Sequence, residues 1–145
     1  MAVDASGKIK WDSNLMRGDR LVVLTSARAP AGYLADLRAK NISYLLGKTM
    51  QIDFAKVLPL LRRHFGIRKL MLEGGGGING AFLAAGLVDE ISLLVCPFAD
   101  GSRAEPTHFD VPAGELKTKG TALRLTAVRR RPGDVLWLRY TVRRR

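Results

Sequence analysis

The stretch KLMLEGGGGINGAFLAAGLVDEISLLV, residues 69–95, decides how this chain is read. Four consecutive glycines, Gly74 to Gly77, follow a single carboxylate, Glu73. Such a run costs backbone entropy, so it marks a place where the backbone does something side chains forbid. On the upstream side, IRKLMLE (67–73) predicts a strand. On the downstream side, INGAFLAAG (78–86) predicts a short helix closed by Gly86. A strand, then glycines, then a helix sets a helix N-terminus beside the carboxyl end of a strand. The unpaired N–H groups and the helix dipole favour an anion there, and glycines let a diphosphate or flat ring approach without meeting a Cβ.

Two named phosphate motifs are open to test. A P-loop requires Gly-Lys-Ser/Thr after its last glycine, and Ile78-Asn79-Gly80 stands there instead, so that reading fails. The Rossmann pattern G-x-G-x-x-G is met by Gly75, Gly77 and Gly80, but the run lies mid-chain rather than in a first strand–helix–strand unit. A tight turn with close helix–strand contact is the structural alternative for the glycines.

Outward from this centre the chain alternates. DRLVVLTS (19–26) predicts a buried strand ending at Thr25-Ser26. Pro30 opens a short helix with Leu34 and Leu37 on one face and Asn41 as its stop, and ISYLLG (42–47) predicts another strand. Asp53 is an N-cap for a helix whose Phe54, Val57, Leu58, Leu61 and Phe65 form one apolar stripe ended by Gly66. DEISLLVCPF (89–98) predicts a long, central strand, because it lacks clean alternation. TALRLTAVRR and DVLWLRYTV flank Arg131-Pro132-Gly133 and predict a closing antiparallel hairpin. The pattern is α/β with a mixed sheet, in one domain covering 1–145.

The chain has 145 residues and is 47% hydrophobic, which suits a domain with a core and argues against disorder. No apolar run is long enough to span a membrane, and the N-terminus has no signal-peptide core, so a cytoplasmic protein is expected. One cysteine, Cys96, excludes an intramolecular disulfide framework and reads as a small buried hydrophobe. The net charge of +11 makes anionic partners plausible. The arginines look spread out, apart from Arg129–Arg131 and Arg143–Arg145, and no basic helix with interleaved aromatics occurs, so nucleic acid is not the expected partner. His64 reads as a charge at a helix C-terminus, Asp89-Glu90 as a solvated strand edge, and no serine has a neighbouring His or an elbow motif. Two histidines without a cysteine or paired carboxylates beside them predict no metal site.

LMLEGGGGINGAFLAAGLVDEISLLVCPFADG resembles the signature of the dihydrofolate-reductase-like superfamily. It is most similar to the reductase domain of bacterial riboflavin biosynthesis, written strand-E-G-G-G-x-x-N-G-x-hydrophobic, then G-L-V/I-D-E and a long strand. Glu73, Gly74, Gly75, Gly76, Asn79, Gly80, Gly86, Leu87, Asp89 and Glu90 fit it. VVLTS resembles the strand that ends near the adenosine end of NADPH, EPTHFDV (105–111) the loop after the long strand, and PGDVLWLRY the closing hairpin. Gly77 departs from the pattern, which has Thr or a longer residue there, and this removes one cofactor contact.

The resemblance implies a mostly parallel mixed sheet flanked by helices and closed by the hairpin. It also implies NADPH-dependent hydride transfer to a pyrimidine- or pterin-type substrate, such as the phosphoribosylamino-pyrimidine of riboflavin biosynthesis. Gly74, Gly75, Gly76, Gly77 and Ile78 at the helix start would hold the diphosphate near the nicotinamide, with a strained or cis peptide between two of the glycines. Ser6, Thr25 and Ser26 would lie near the adenosine 2′-phosphate. Glu73 would act as the catalytic carboxylate, orienting polar substrate groups or relaying a proton; its alternative is a carboxylate bonded to nearby backbone N–H groups. A homodimer through the hairpin and the long strand is implied. The family begins with a further strand, an S-x-D-G segment, a helix and another strand before the part matched by VDAS, so an N-terminally shortened reductase-like domain is expected. A non-catalytic nucleotide-binding or dimerisation remnant is the alternative.

Overall fold

A computed structural model of the chain describes residues 1–99, 101, 107–111 and 120–143. Ser102, Glu105, Pro106, Arg144 and Arg145 lie outside the described residues. The chain divides into two compact units, Met1–Arg68 and Lys69–Arg145.

The first unit contains β1 (Ala2–Val3), β2 (Leu15–Met16), β3 (Asp19–Arg20), β4 (Val22–Thr25), α1 (Ala31–Ala39), β5 (Ser43–Leu46) and α2 (Phe54–Phe65). Its main sheet is parallel, in the order β1-β4-β5. Every residue of β4 is buried, which explains why its sequence is continuously apolar rather than alternating. Leu21, Val23, Leu37, Ile42 and Trp11 form the core. β2 and β3 make a small hairpin turned by Arg17 and Gly18, both at positive φ.

Both helices predicted for the first unit form at the expected places. α2 starts at Asp53, whose carboxylate accepts from the Lys56 N–H, and ends at Gly66 in the left-handed conformation. α1 follows Pro30, and Asn41, also at positive φ, stops it.

The second unit contains α3 (Gly76–Ala84), β6 (Glu90–Val95), β7 (Leu123–Arg131) and β8 (Val135–Val142). The strands form an antiparallel sheet in the order β6-β8-β7. The hairpin turns at Pro132–Asp134 with Gly133 at φ 74, as the Arg-Pro-Gly signal predicts. The architecture is thus mixed α/β, with a parallel sheet, helices and a closing antiparallel hairpin.

Four expectations are corrected. Residues 67–73 form no strand: among the described residues they join no ladder, and apolar content does not make a strand without a hydrogen-bonded neighbour. The segment keeps the alternation of a strand, with Leu70 and Leu72 half-buried and Met71 and Glu73 exposed. Among the described residues β6 is an edge rather than a central strand, because β8 alone pairs with it and takes the middle of the sheet. Cys96 is exposed, one residue beyond the end of β6, rather than buried. Finally, α3 begins inside the glycine run, at Gly76, two residues earlier than predicted.

Candidate functional site

The glycine run is divided by what each residue faces. Gly75 is the N-cap of α3, with extended backbone at φ −69 and ψ 171, and it brings no side chain to satisfy the first turn. The opening N–H groups of α3 therefore have no side-chain cap, and by helix geometry none has an intrahelical carbonyl. Among the described residues, a Cβ built on Gly75 or on Gly77 would meet nothing within 4 Å. These two positions border open space.

Gly76 and Gly80 face protein. A Cβ on Gly76 would collide with the Asp110 carboxylate and stand 2.5 Å from the Thr107 carbonyl oxygen. One on Gly80 would collide with the Asp110 backbone, 2.6 Å from its carbonyl carbon. The Asp110 N–H donates to the Gly76 carbonyl at 2.9 Å, and the Thr107 hydroxyl bonds the Asp110 carboxylate. The Asn79 amide fastens both pieces, its Nδ2 donating to the Gly74 and His108 carbonyls at 3.0 Å each. So the question posed by four glycines has two answers. Gly74 is crowded by Ile78, whose Cβ would stand 2.8 Å from an added Cβ, and Gly76 and Gly80 by residues 107–111, whereas no contact among the described residues explains Gly75 and Gly77.

No peptide bond among the described residues is cis, so the cis form of the peptide implied by the resemblance is not found there, and none of Gly74–Gly77 has a positive φ. Glu73 is exposed directly before the run. None of the described side-chain hydrogen bonds is accepted by the Glu73 carboxylate, so the backbone N–H contacts offered as its alternative do not occur among them. Ile78 is half-buried in the first turn of α3.

Ser6, Thr25 and Ser26 come together at the carboxyl end of β4. The Ser26 hydroxyl donates to the Ala5 carbonyl at 2.5 Å and accepts from the Arg28 N–H at 3.2 Å, so it ties this end to the turn that carries Ser6. Thr25 is 1% exposed, and its Oγ1 is buried without a hydrogen-bond partner. Across the sheet the Thr25 carbonyl accepts from the Gly47 N–H at 2.8 Å. Ser6 is half-buried, while Lys8 and Arg28 beside it are exposed. Sequence reasoning did not single out Arg28, because a lone arginine in a loop carries no signal; the Ser26 hydroxyl brings its backbone to this strand end.

The same turn holds the buried carboxylate of Asp4. It accepts from the Lys8 N–H at 3.1 Å, the Ile9 N–H at 2.8 Å and the Tyr33 hydroxyl at 2.9 Å. Burial alone would raise its pKa, but these bonds outweigh burial and hold it below the usual carboxylate value. Trp11 donates its indole N–H to the Tyr33 oxygen at 2.8 Å, completing a network that fixes residues 4–11.

A shallow depression of about 340 Å³ lies elsewhere in the first unit, between β5 and the end of α2, lined by Ile42, Ser43, Tyr44, Leu45, His64 and Phe65. It includes none of the predicted site residues.

With this geometry in hand, the sequence profile of the RibD C-terminal domain matches residues 1–137, across both units. The chain belongs to that family. It is 35% identical over 124 residues to the 2,5-diamino-6-ribosylamino-4(3H)-pyrimidinone 5′-phosphate reductase of Methanothermobacter thermautotrophicus, an alignment covering 84% of this chain and 55% of that protein. To the reductase of the same name from Aquifex aeolicus it is 31% identical over 105 residues, 71% of this chain and 46% of that one. This RibD C-terminal domain chain therefore spans about half the length of the curated relatives it matches. A crystal structure of a pyrimidine reductase-like protein from Corynebacterium diphtheriae shares the fold, with a TM-score of 0.78 at 18% identity over 99% of this chain and 61% of that one. Among the described residues, no helix is long and apolar enough to cross a membrane.

Proposed function

We propose that this chain is an NADPH-dependent reductase that acts on a pyrimidine- or pterin-type substrate, such as the phosphoribosylamino-pyrimidine of riboflavin biosynthesis. The observation that carries this reading is the start of α3. An uncapped helix N-terminus stands behind Gly75 and Gly77, whose Cβ positions are open, in a family whose curated relatives are named as that reductase.

Bound NADPH would supply the hydride. The chain's own part is binding and orientation. The N–H groups of Gly76, Gly77 and Ile78 suit the diphosphate, which approaches on the Gly75 and Gly77 side because Asp110 occupies the other. Within the first unit taken by itself, Ser6, Thr25 and Ser26 are the residues the resemblance implies for an adenosine 2′-phosphate, and Arg28 is exposed beside them. Glu73, exposed before the glycines, is placed to hold polar substrate groups or pass a proton.

We read the partner state as a homodimer, in a cytoplasmic protein. One face of the β6-β8-β7 sheet supports the dimer: Val95, Leu123, Leu125, Val128 and Leu136 lie on it by register, and all five are exposed. A second reading, a nucleotide-binding module that no longer catalyses, is favoured by residues 67–73, which reach the glycines without a ladder partner among the described residues.

Titrating NADPH while following its fluorescence tests the site. No binding at about 1 mM cofactor, the upper end of ordinary KM values, would sink both readings. Binding followed by NADPH oxidation with the pyrimidine substrate supports the reductase. Binding without oxidation leaves the non-catalytic module.

A further inference from the structure

The face of the β6-β8-β7 sheet opposite the apolar one carries a cluster that the sequence conceals. Register pairs Arg129 with Trp137, Arg124 with Thr141, and Ser92 with Arg139. Directly paired residues share a face, so Arg124, Arg129, Arg131 and Arg139 lie on the same side as Trp137, and the last three surround its ring. Their guanidinium carbons stand 4.6 Å (Arg131), 5.7 Å (Arg129) and 5.8 Å (Arg139) from the indole centroid, while the indole N–H is fixed on the Ser92 hydroxyl at 2.8 Å. Arg130, on the other face, is tied to Asp134.

Little here neutralises the charge. Glu90 is the carboxylate that register places on this face, and Arg139 takes it at 2.5 Å. Among the described ion pairs, Arg124, Arg129 and Arg131 have no carboxylate partner. All three are exposed.

We propose that this face binds single-stranded nucleic acid. Arg124 and Arg131 are seven positions apart on β7, roughly 23 Å along a strand, and Arg129 lies between them. That row is too long for one phosphate and suits a backbone of several. A second copy of the chain would bring like charge and is repelled. An acidic peptide or lipid headgroup would answer the charge but leave the indole and its stacked guanidiniums unused. An unpaired base has a π-face for them, and a duplex hides its own. This inference does not depend on the reductase reading, since it uses none of the residues assigned to NADPH.

The test is fluorescence anisotropy of the full chain with labelled single-stranded oligonucleotides of roughly 12 nucleotides, within the usual size range of such sites. Three guanidiniums without a carboxylate partner among the described ion pairs predict a slope of log affinity against log salt of about −2, a loss of roughly 16-fold between about 50 and 200 mM salt. Arg129→Glu with Arg131→Glu should weaken binding more than about tenfold. Arg62→Glu with Arg63→Glu, on α2, changes the net charge equally and should leave it within about twofold. Trp137→Phe should abolish the fluorescence quenching seen on binding while circular dichroism stays native. The proposal is overturned by any of three results: no binding at low salt, equal loss in the α2 variant, or duplex of the same length binding as tightly as single strand. Patch-dependent binding to acidic phospholipid vesicles without oligonucleotide binding also overturns it.

Discussion

Asp110 lies on Gly76: its N–H donates to the Gly76 carbonyl at 2.9 Å, and its carboxylate fills the place a Gly76 side chain would need. The same residue's backbone closes over Gly80. Two glycines of the signature are therefore packing devices, which makes the signature divisible by experiment.

Gly76→Ala and Gly80→Ala should each destabilise the protein by about 1–3 kcal/mol, because residues 107–111 must move to admit a methyl group. Gly77→Ala, in the same helix but facing open space, should instead stabilise by about 0.5–1 kcal/mol through lost unfolded-state entropy. Thermal melts of the three variants read the difference directly.

Gly75→Val is the complementary case. Nothing among the described residues opposes the new side chain, so the fold should survive. NADPH affinity should fall more than about tenfold, equivalent to at least 1.4 kcal/mol. Undiminished affinity in a folded variant means that the cofactor does not approach at this glycine.

Asn79 binds the glycine turn to the loop through one amide group. Asn79→Ala removes donors to Gly74 and His108 and should cost about 1–2 kcal/mol. Hydrogen exchange supplies the local reading, with the Asp110 amide exchanging faster while amides in β8 are unchanged.

Asp4 gives a signed pH dependence. Its folded pKa is depressed, so the stabilisation it brings is present above the ordinary carboxylate value of 3.8 and is lost as pH falls through the folded value. Urea midpoints measured from about pH 7 down to about pH 3 should show a steeper acid decline in the parent than in Asp4→Asn. The variant should also be less stable at neutral pH, because an amide cannot accept the same set of bonds from Ile9, Lys8 and Tyr33.

The homodimer reading is tested on the apolar sheet face. Leu125→Glu with Val128→Glu puts two charges where β7 exposes two apolar side chains. Sedimentation should then give a monomer from a parent that sediments as a dimer. A parent that is monomeric at all concentrations removes the dimer from the proposal.

Much of this was legible because it is local. Asp53 and Gly66 bound α2 through a side-chain cap and a left-handed residue, both of which are written in a few adjacent positions. The Arg-Pro-Gly turn specified the hairpin in the same way. Residues 67–73 misled because strand character belongs to a pair of segments and not to one. Cys96 misled because an apolar neighbourhood in sequence need not be a buried one at the end of an edge strand.

By itself, the sequence determined the two helices of the first unit, the closing hairpin and the family, since caps, turns and motifs act over a few residues. Tertiary structure alone decided which glycines serve packing and which border open space, because that depends on a loop some thirty positions away. It likewise decided that arginines scattered along β7 and β8 surround one tryptophan. Strand register, which no single strand contains, sorts side chains between the two faces of a sheet.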